Sequence, residues 1–246
     1  MAGKWIVEKF NKIVNFLLDL IFPKICLSCS QEGDFLCQNC LESIPLVEKF
    51  TCPVCGRLSL YGKTCENCRR KTALAGLINA TSYKNPVVEG AIKLLKYEYI
   101  KSLSQNLSVL LIKVIKNSYF LTNNFSEPLS SFLIIPVPLH RQKFLDRGFN
   151  QAELIAQKIA EEFDLKLRND LLIKIKNTRS QTDLKETERK INIQGAFAVK
   201  NKKEIKGKII FLVDDVFTTG STLNEAARVL KVAGAKEIWG IALARG

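Results

Sequence analysis

Ile209-Ile210-Phe211-Leu212-Val213-Asp214-Asp215-Val216-Phe217-Thr218-Thr219-Gly220-Ser221-Thr222 opens with five apolar residues and closes on hydroxyls. A short apolar run of this kind reads as a strand buried on both faces, as strands of parallel sheets are. The run stops at two adjacent carboxylates. A loop of hydroxyls with one glycine follows and opens into a helix expected from Ser221 to Ala233. Ligands of open α/β sheets bind at the carboxyl ends of strands. Here the loop offers backbone N–H groups, the hydroxyls of Thr218, Thr219, Ser221 and Thr222, and a helix N-terminus, a donor set suited to a phosphate. Gly220 lets the backbone come close to such a ligand. Asp214 and Asp215 would repel an anion unless they hold hydroxyl groups or a divalent cation. A ribose phosphate with free 2′ and 3′ hydroxyls meets both demands. The segment is neither a Walker A loop nor a GxGxxG fingerprint. A strand end that only caps a helix through Thr and Ser would explain the hydroxyls and leave the aspartates unexplained.

The pattern on either side alternates strand and helix. Strands are expected at Leu77–Tyr83, Phe132–Val137, Ala196–Val199, Lys208–Val213 and Glu237–Ala244, with an apolar stretch at Leu171–Ile175. Helices are expected at Pro86–Tyr97, Lys101–Lys116 and Phe149–Phe163. Residues 117–131 read as a loop, and 176–192 as a charged segment too poor in apolar residues to pack. This order predicts an α/β fold, a parallel sheet with helices on both faces.

The first 70 residues carry different chemistry. All eight cysteines lie there as four CxxC pairs: Cys26 and Cys29, Cys37 and Cys40, Cys52 and Cys55, Cys65 and Cys68. No apolar run near the N-terminus reads as a signal peptide or a membrane span. The chain is therefore expected in the cytoplasm, where paired thiolates mean metal more often than disulfides. Two such knuckles complete a tetrahedral four-thiolate shell, closed and hence structural. Gly56 suits the positive φ that such turns need. Structural Zn2+, two ions per chain, is the expected occupant, with iron–sulfur clusters and redox dithiols as alternatives. Both sequential and cross-braced pairing fit the spacing. A region so short has little core of its own, so metal must supply much of its folding free energy.

Before the cysteines, Val7, Phe10, Ile13, Leu17 and Ile21 recur at helical intervals between Trp5 and Phe22, read as an amphipathic helix that packs on a neighbour or lies on a membrane surface. The expected organisation is residues 1–22 as this helix, 23–76 as a zinc-ribbon module, and 77–246 as the α/β domain. Of 246 residues 47% are hydrophobic, which excludes a disordered chain, and a single His excludes a multi-histidine metal site. The net charge of +13 is compatible with anionic partners, as it is with a basic solubilising surface. It is uneven: residues 77–246 carry 27 basic against 17 acidic residues, residues 1–76 carry 10 against 7.

The Asp214–Thr222 segment resembles the phosphoribosyl-pyrophosphate (PRPP) motif of type I phosphoribosyltransferases. With the CxxC pairs, the whole chain resembles the ComF family of competence-associated proteins. Further matching stretches are Ile134 to His140, Arg147-Gly148-Phe149-Asn150-Gln151, Leu94-Leu95-Lys96-Tyr97, and the run from Arg179 to Phe197. Arg141 follows His140 where the family pattern has proline. The resemblance implies that Asp214 and Asp215 hold the ribose hydroxyls and that Thr218, Thr219, Gly220, Ser221 and Thr222 hold the 5′-phosphate. It implies that Pro138 and His140 approach the pyrophosphate, assisted by Arg147. Residues 177–190 match the mobile loop that closes over PRPP, where Arg179, Lys185 and Arg189 would neutralise the departing pyrophosphate with Mg2+ bridging it. Plainer readings stand beside these: a flexible basic loop at 177–190, a structural His140, and helix capping by Asn150.

Two functions follow from the resemblance. One is a PRPP-binding protein that handles incoming single-stranded DNA in natural transformation, with other competence proteins as partners. The alternative is an active phosphoribosyltransferase that moves ribose 5-phosphate from PRPP to a base or amine. A zinc module that docks other proteins is a third.

Overall fold

The computed structural model describes residues 23–179 and 186–246. The helix expected over Trp5–Phe22 and the basic residue Lys185 lie outside the described residues. The described residues hold six strands: β1 (Gly76–Ser82), β2 (Phe132–Pro136), β3 (Leu172–Lys174), β4 (Phe197–Val199), β5 (Ile209–Phe217) and β6 (Glu237–Arg245). Four of them form a parallel sheet in the order β1-β6-β5-β2, while β3 and β4 pair antiparallel as a separate ribbon. The apolar run at Ile209 thus becomes an inner strand with neighbours on both sides.

Side chains alternate along β5, and the two faces are covered differently. Ile210 and Leu212 pack in one core with Leu223, Ala226, Ala227 and Leu230 of the Ser221–Val232 helix. Phe211 joins an aromatic cluster with Phe120, Phe125, Phe132 and Trp239, whose closest ring centroids, those of Phe120 and Trp239, are 4.9 Å apart. The helices Ser102–Asn117 and Gln151–Phe163 pack on each other and on the sheet. The expected α/β architecture, helices on both faces of a parallel sheet, is the one observed.

Two segments behave differently from their sequence reading. Residues 117–131 contain a short helix, Phe120–Asn124, which a left-handed Tyr119 (φ 51°) turns inward. Phe120 is fully buried at the centre of the aromatic cluster, a burial worth about 2–3 kcal/mol. The described part of 176–192 also holds local structure that the sequence reading left out. Thr178 is buried, and the helix Glu186–Ile193 is fastened by Ile193, which is 2% exposed. The anchoring isoleucine stands just past the charged segment, whose described side chains apart from Thr178 are exposed or half-buried, as its composition implies.

The chain divides into two compact units, Met1–Ile44 and Pro45–Gly246. Each holds one four-cysteine group. In the larger unit the cysteine segment is bound to the sheet through its backbone: Val47 N–H donates to Ala80 O, Thr64 N–H to Ala75 O, and Ala75 N–H to Ile238 O, at 2.7–2.8 Å. No helix among the described residues is long and apolar enough to cross a membrane.

Candidate functional site

The cysteines form two groups in chain order, Cys26, Cys29, Cys37, Cys40 and Cys52, Cys55, Cys65, Cys68, with the sulfurs of each group within 4.8 Å of one another. Pairing is sequential, not cross-braced. Tetrahedral Zn2+ with Zn–S bonds of about 2.3 Å requires sulfurs about 3.8 Å apart. The Cys29–Cys37 and Cys55–Cys65 sulfurs stand 3.7 Å apart, so both groups fit zinc as they are. The knuckles repeat one geometry. Ser30 N–H donates to Cys26 O and Gly56 N–H to Cys52 O, with φ of 60° and 71° at the turning residue. Cys37 and Cys65 then lead into short helical turns with the same backbone angles, φ −66° and ψ 158°. The shells are closed by four thiolates, so these centres hold structure.

The carboxylates lie at the carboxyl end of β5, where neighbouring residues point to opposite faces. The two are not equivalent. Asp215 is buried, 4% exposed, and its Oδ2 lies 2.5 Å from Lys96 Nζ. Burial alone would raise the Asp215 carboxyl and lower the Lys96 ammonium; their mutual attraction reverses both, holding Asp215 below and Lys96 above the ordinary value. Asp214 is pushed well above the usual carboxylate range, by burial first and by the charge of Asp215 second. The pair therefore holds one carboxylate favoured in its ionised form by Lys96 and one that burial and its neighbour favour in the protonated form. Lys174 of β3 bears on the Asp214 side. It is lowered to about 8, chiefly by burial and then by Lys143, with Asp214 acting in the opposite sense.

Beyond the aspartates the chain turns at Gly220, whose φ is 73°. A Cβ there would stand 2.6 Å from the Phe217 ring, so both the backbone angle and the space demand glycine. Thr219 Oγ1 and Ser221 Oγ are 2.9 Å apart, and Asn224 N–H donates to Gly220 O at 2.8 Å, the first full turn of the Ser221–Val232 helix. Thr218 is exposed and Thr222 half-buried in that first turn. A helix start, with its N–H groups directed outward, and clustered hydroxyls give this loop a donor set suited to an anion.

The loop after β2 runs beside it, because β2 neighbours β5. Pro138 and His140 are half-buried there. His140 Nδ1 accepts from Gln142 N–H at 3.3 Å and caps the helix Arg141–Arg147, which the sequence reading did not anticipate. Arg141 in place of proline starts that helix. Asn150 both caps the next helix, accepting from Ala152 N–H at 3.1 Å, and donates to Val137 O at 3.0 Å, fixing the exit of β2. Arg147 Nη1 donates to Gln151 Oε1 at 2.5 Å. From the other side, Arg189 Nη1 donates to Thr218 Oγ1 at 3.3 Å, placing that basic residue on the hydroxyl loop. Arg179 is exposed; its backbone exchanges two hydrogen bonds with the Asn192 side chain, at 3.2 and 3.1 Å, closing the base of the segment.

Lys96 and Lys174 were not singled out for the site by their residue type. A signal for each exists in the sequence. Lys96 falls four residues after Ile92 on the stripe of Val88, Ile92 and Leu95, and Lys174 interrupts the apolar Leu171–Ile175. A lysine within an apolar stripe needs a buried counter-charge.

Residues 150–246 match the phosphoribosyl transferase domain, and residues 17–69 match the double zinc ribbon domain. Competence protein F of Haemophilus influenzae is 32% identical over 213 residues, 85% of this chain and 89% of the relative. Competence protein ComFC of Bacillus subtilis is 28% identical over 205 residues, 81% and 79% of the two chains. DNA utilization protein YhgH of Escherichia coli K12 is 27% identical over 228 residues, 89% and 97%.

Proposed function

Because the chain belongs to the ComF family of competence and DNA-utilization proteins, we propose that it binds PRPP at the end of β5 and handles single-stranded DNA. The observation that carries the PRPP reading is the joining, on one strand end, of Asp214 and Asp215 with the Thr218–Thr222 cradle. In this reading the cradle takes the 5′-phosphate and Asp214 the ribose hydroxyls. Asp215 acts from behind, through its ion pair with Lys96. The Pro138–Arg147 segment and Lys174 face the pyrophosphate, and Arg189, with Arg179 and Lys185, covers it. Mg2+ would arrive on the pyrophosphate and neutralise part of its charge.

For DNA, the supporting observation is the Arg141–Arg147 helix. None of its residues is buried, and it exposes Phe144 (43%) and Leu145 (66%) between Arg141, Lys143 and Arg147. Aromatic rings among cations are what single strands stack and run along. The names of the relatives, competence protein and DNA utilization protein, carry the DNA connection itself. Calorimetric titration with PRPP and Mg2+ tests the first part, with Asp214→Ala/Asp215→Ala abolishing the heat. Titration with a single-stranded oligonucleotide at several salt concentrations tests the second; affinity falling steeply with salt supports it, and affinity indifferent to salt sinks it.

The second reading, an active phosphoribosyltransferase, is favoured by the Arg189–Thr218 contact, which brings a lid cation onto the phosphate loop. In that reaction the C1–O bond to pyrophosphate breaks, a C1–N bond to the acceptor forms, and the acceptor nitrogen gives up its proton. Pyrophosphate release that depends on an added base or amine decides for it.

A further inference from the structure

We infer that the Cys52–Cys68 metal site shapes the Thr218–Ser221 loop through Arg245 and Asn224, so that zinc there and a phosphate ester in the loop strengthen each other's binding. The phosphate part rests on the PRPP reading; the coupling of metal site to loop does not.

Two struts join the metal ribbon to the loop, one at each end. The first is Arg245, the last residue of β6. Its Nη1 donates to Thr51 Oγ1 at 2.6 Å and its Nη2 to the carbonyl of Cys52, itself a metal ligand, at 3.2 Å. The same guanidinium stacks over the Phe217 ring, 5.4 Å from its centroid. That ring is the surface against which Gly220 turns, with no room for a Cβ between them. Gly246 N–H also donates to Phe217 O at 2.9 Å, fixing the ring's backbone to the same chain end. The second strut is Asn224, one turn into the helix. Its Oδ1 accepts from Thr72 Oγ1 and from Ala73 N–H, both at 2.8 Å, four and five residues beyond the last ligand, Cys68. Ribbon and loop also share a cavity of about 550 Å3, lined by Pro53 and Val54 of the knuckle and by Phe217, Thr219, Gly220 and Ser221.

Charge gives the coupling its sign. A Zn2+ ion with four thiolates carries a net charge of two minus, and half-buried Arg245 is the cation set against it. The partners of its guanidinium are neutral oxygens and a ring, so the metal centre is its charge complement. Loss of zinc would remove that complement and free the Thr51–Cys52 turn, releasing the guanidinium from Phe217 and the ring from the loop. By linkage the effect is reciprocal: what zinc does for the loop's ligand, the ligand does for zinc, by the same factor.

The test uses the full chain with both sites loaded. Hydrogen exchange is measured first, without ligand, on wild type, Arg245→Met and Arg245→Lys, with metal content confirmed for each. The expected result is exchange at 217–222 at least about tenfold faster in Arg245→Met with both zinc ions retained, and intermediate in Arg245→Lys, which keeps the charge and loses the fork. Unchanged loop exchange in zinc-loaded Arg245→Met overturns the inference. Zinc release to a chromophoric chelator is then followed with and without PRPP and Mg2+. PRPP should slow release of one of the two ions about tenfold, and Cys55→Ser should lose that protected phase while Cys29→Ser keeps it. Equal release with and without saturating PRPP overturns the reciprocal coupling. Failure of PRPP to bind wild type would sink the phosphate reading alone, because the exchange measurement judges the strut without it.

Discussion

Replacing Lys96 by Met keeps most of the stem and removes the charge. The carboxylate left behind is 5% exposed and had its ammonium partner at 2.5 Å. Breaking such a buried pair from one side costs about 3–5 kcal/mol, because the remaining charge is uncompensated. For a domain of this size each kcal/mol moves the melting temperature by about 2–4 °C, so Lys96→Met should melt roughly 6–20 °C lower near pH 7.5. The pH dependence separates charge from packing. In wild type the Asp215 carboxyl is held low by Lys96 against its burial. Its stabilising contribution is present above the unfolded value of about 4, and is lost as pH falls through the lowered folded value. In Lys96→Met burial is unopposed and the folded value rises. The contribution of that carboxyl is then most favourable below about pH 4 and is lost as pH rises through the raised folded value. The deficit against wild type should therefore shrink between about pH 7.5 and about pH 5.5, and adding Asp215→Asn should restore most of the loss at the higher pH. Thermal melts of the zinc-loaded chain, with metal content checked at both pH values, read this out. An equal deficit at both, with no rescue by Asp215→Asn, would refute the ion-pair account and leave Lys96 a packing residue.

Gly220→Ala should cost about 1–2 kcal/mol from the left-handed backbone alone, more as the Phe217 ring gives way, and should weaken PRPP by more than tenfold in calorimetry; unchanged affinity would move the phosphate site elsewhere. Cys26→Ser/Cys37→Ser strikes one metal shell if pairing is sequential and both if it is cross-braced, so metal analysis should find one zinc per chain retained. Lys174, lowered to about 8 by burial and Lys143, loses its charge as pH rises through that value; PRPP affinity should fall between about pH 7 and about pH 9, and Lys174→Arg should flatten the profile.

Much of the fold was legible because the apolar patterns carry it. The run at Ile209–Val213 and the run at Phe132–Val137 each became a strand of the parallel sheet, and the stripe after Ser221 became the helix that covers one face. What stayed hidden were segments whose packing rests on one residue. Phe120 sits in a short Tyr119-Phe120-Leu121 run between polar residues, and nothing local marks it, rather than its exposed neighbour Tyr119, as the buried ring. Its burial is decided by the gap between Phe211 and Trp239, on strands about 90 and 120 residues away in sequence, which no period within the segment reports.

The site divides in the same way. Its contiguous parts, the carboxylates with the hydroxyl loop and the paired cysteines, are visible because a strand end or a metal shell demands those residue types at short spacing. The residues that hold these parts in place are scattered: Lys96 behind Asp215, Asn224 against Thr72, Arg245 between Thr51 and Phe217. Each is an ordinary polar residue whose partner is supplied only by the fold. Two share a consequence. Arg245 and Asn224 tie the second cysteine segment to both ends of the loop at Gly220, so this segment is part of the site's support as well as a ribbon held by metal. A metal bound by four thiolates has no open coordination position for chemistry. It can still influence a ligand by fixing the backbone to which the ligand's own loop is fastened, and the geometry around Phe217 offers that route.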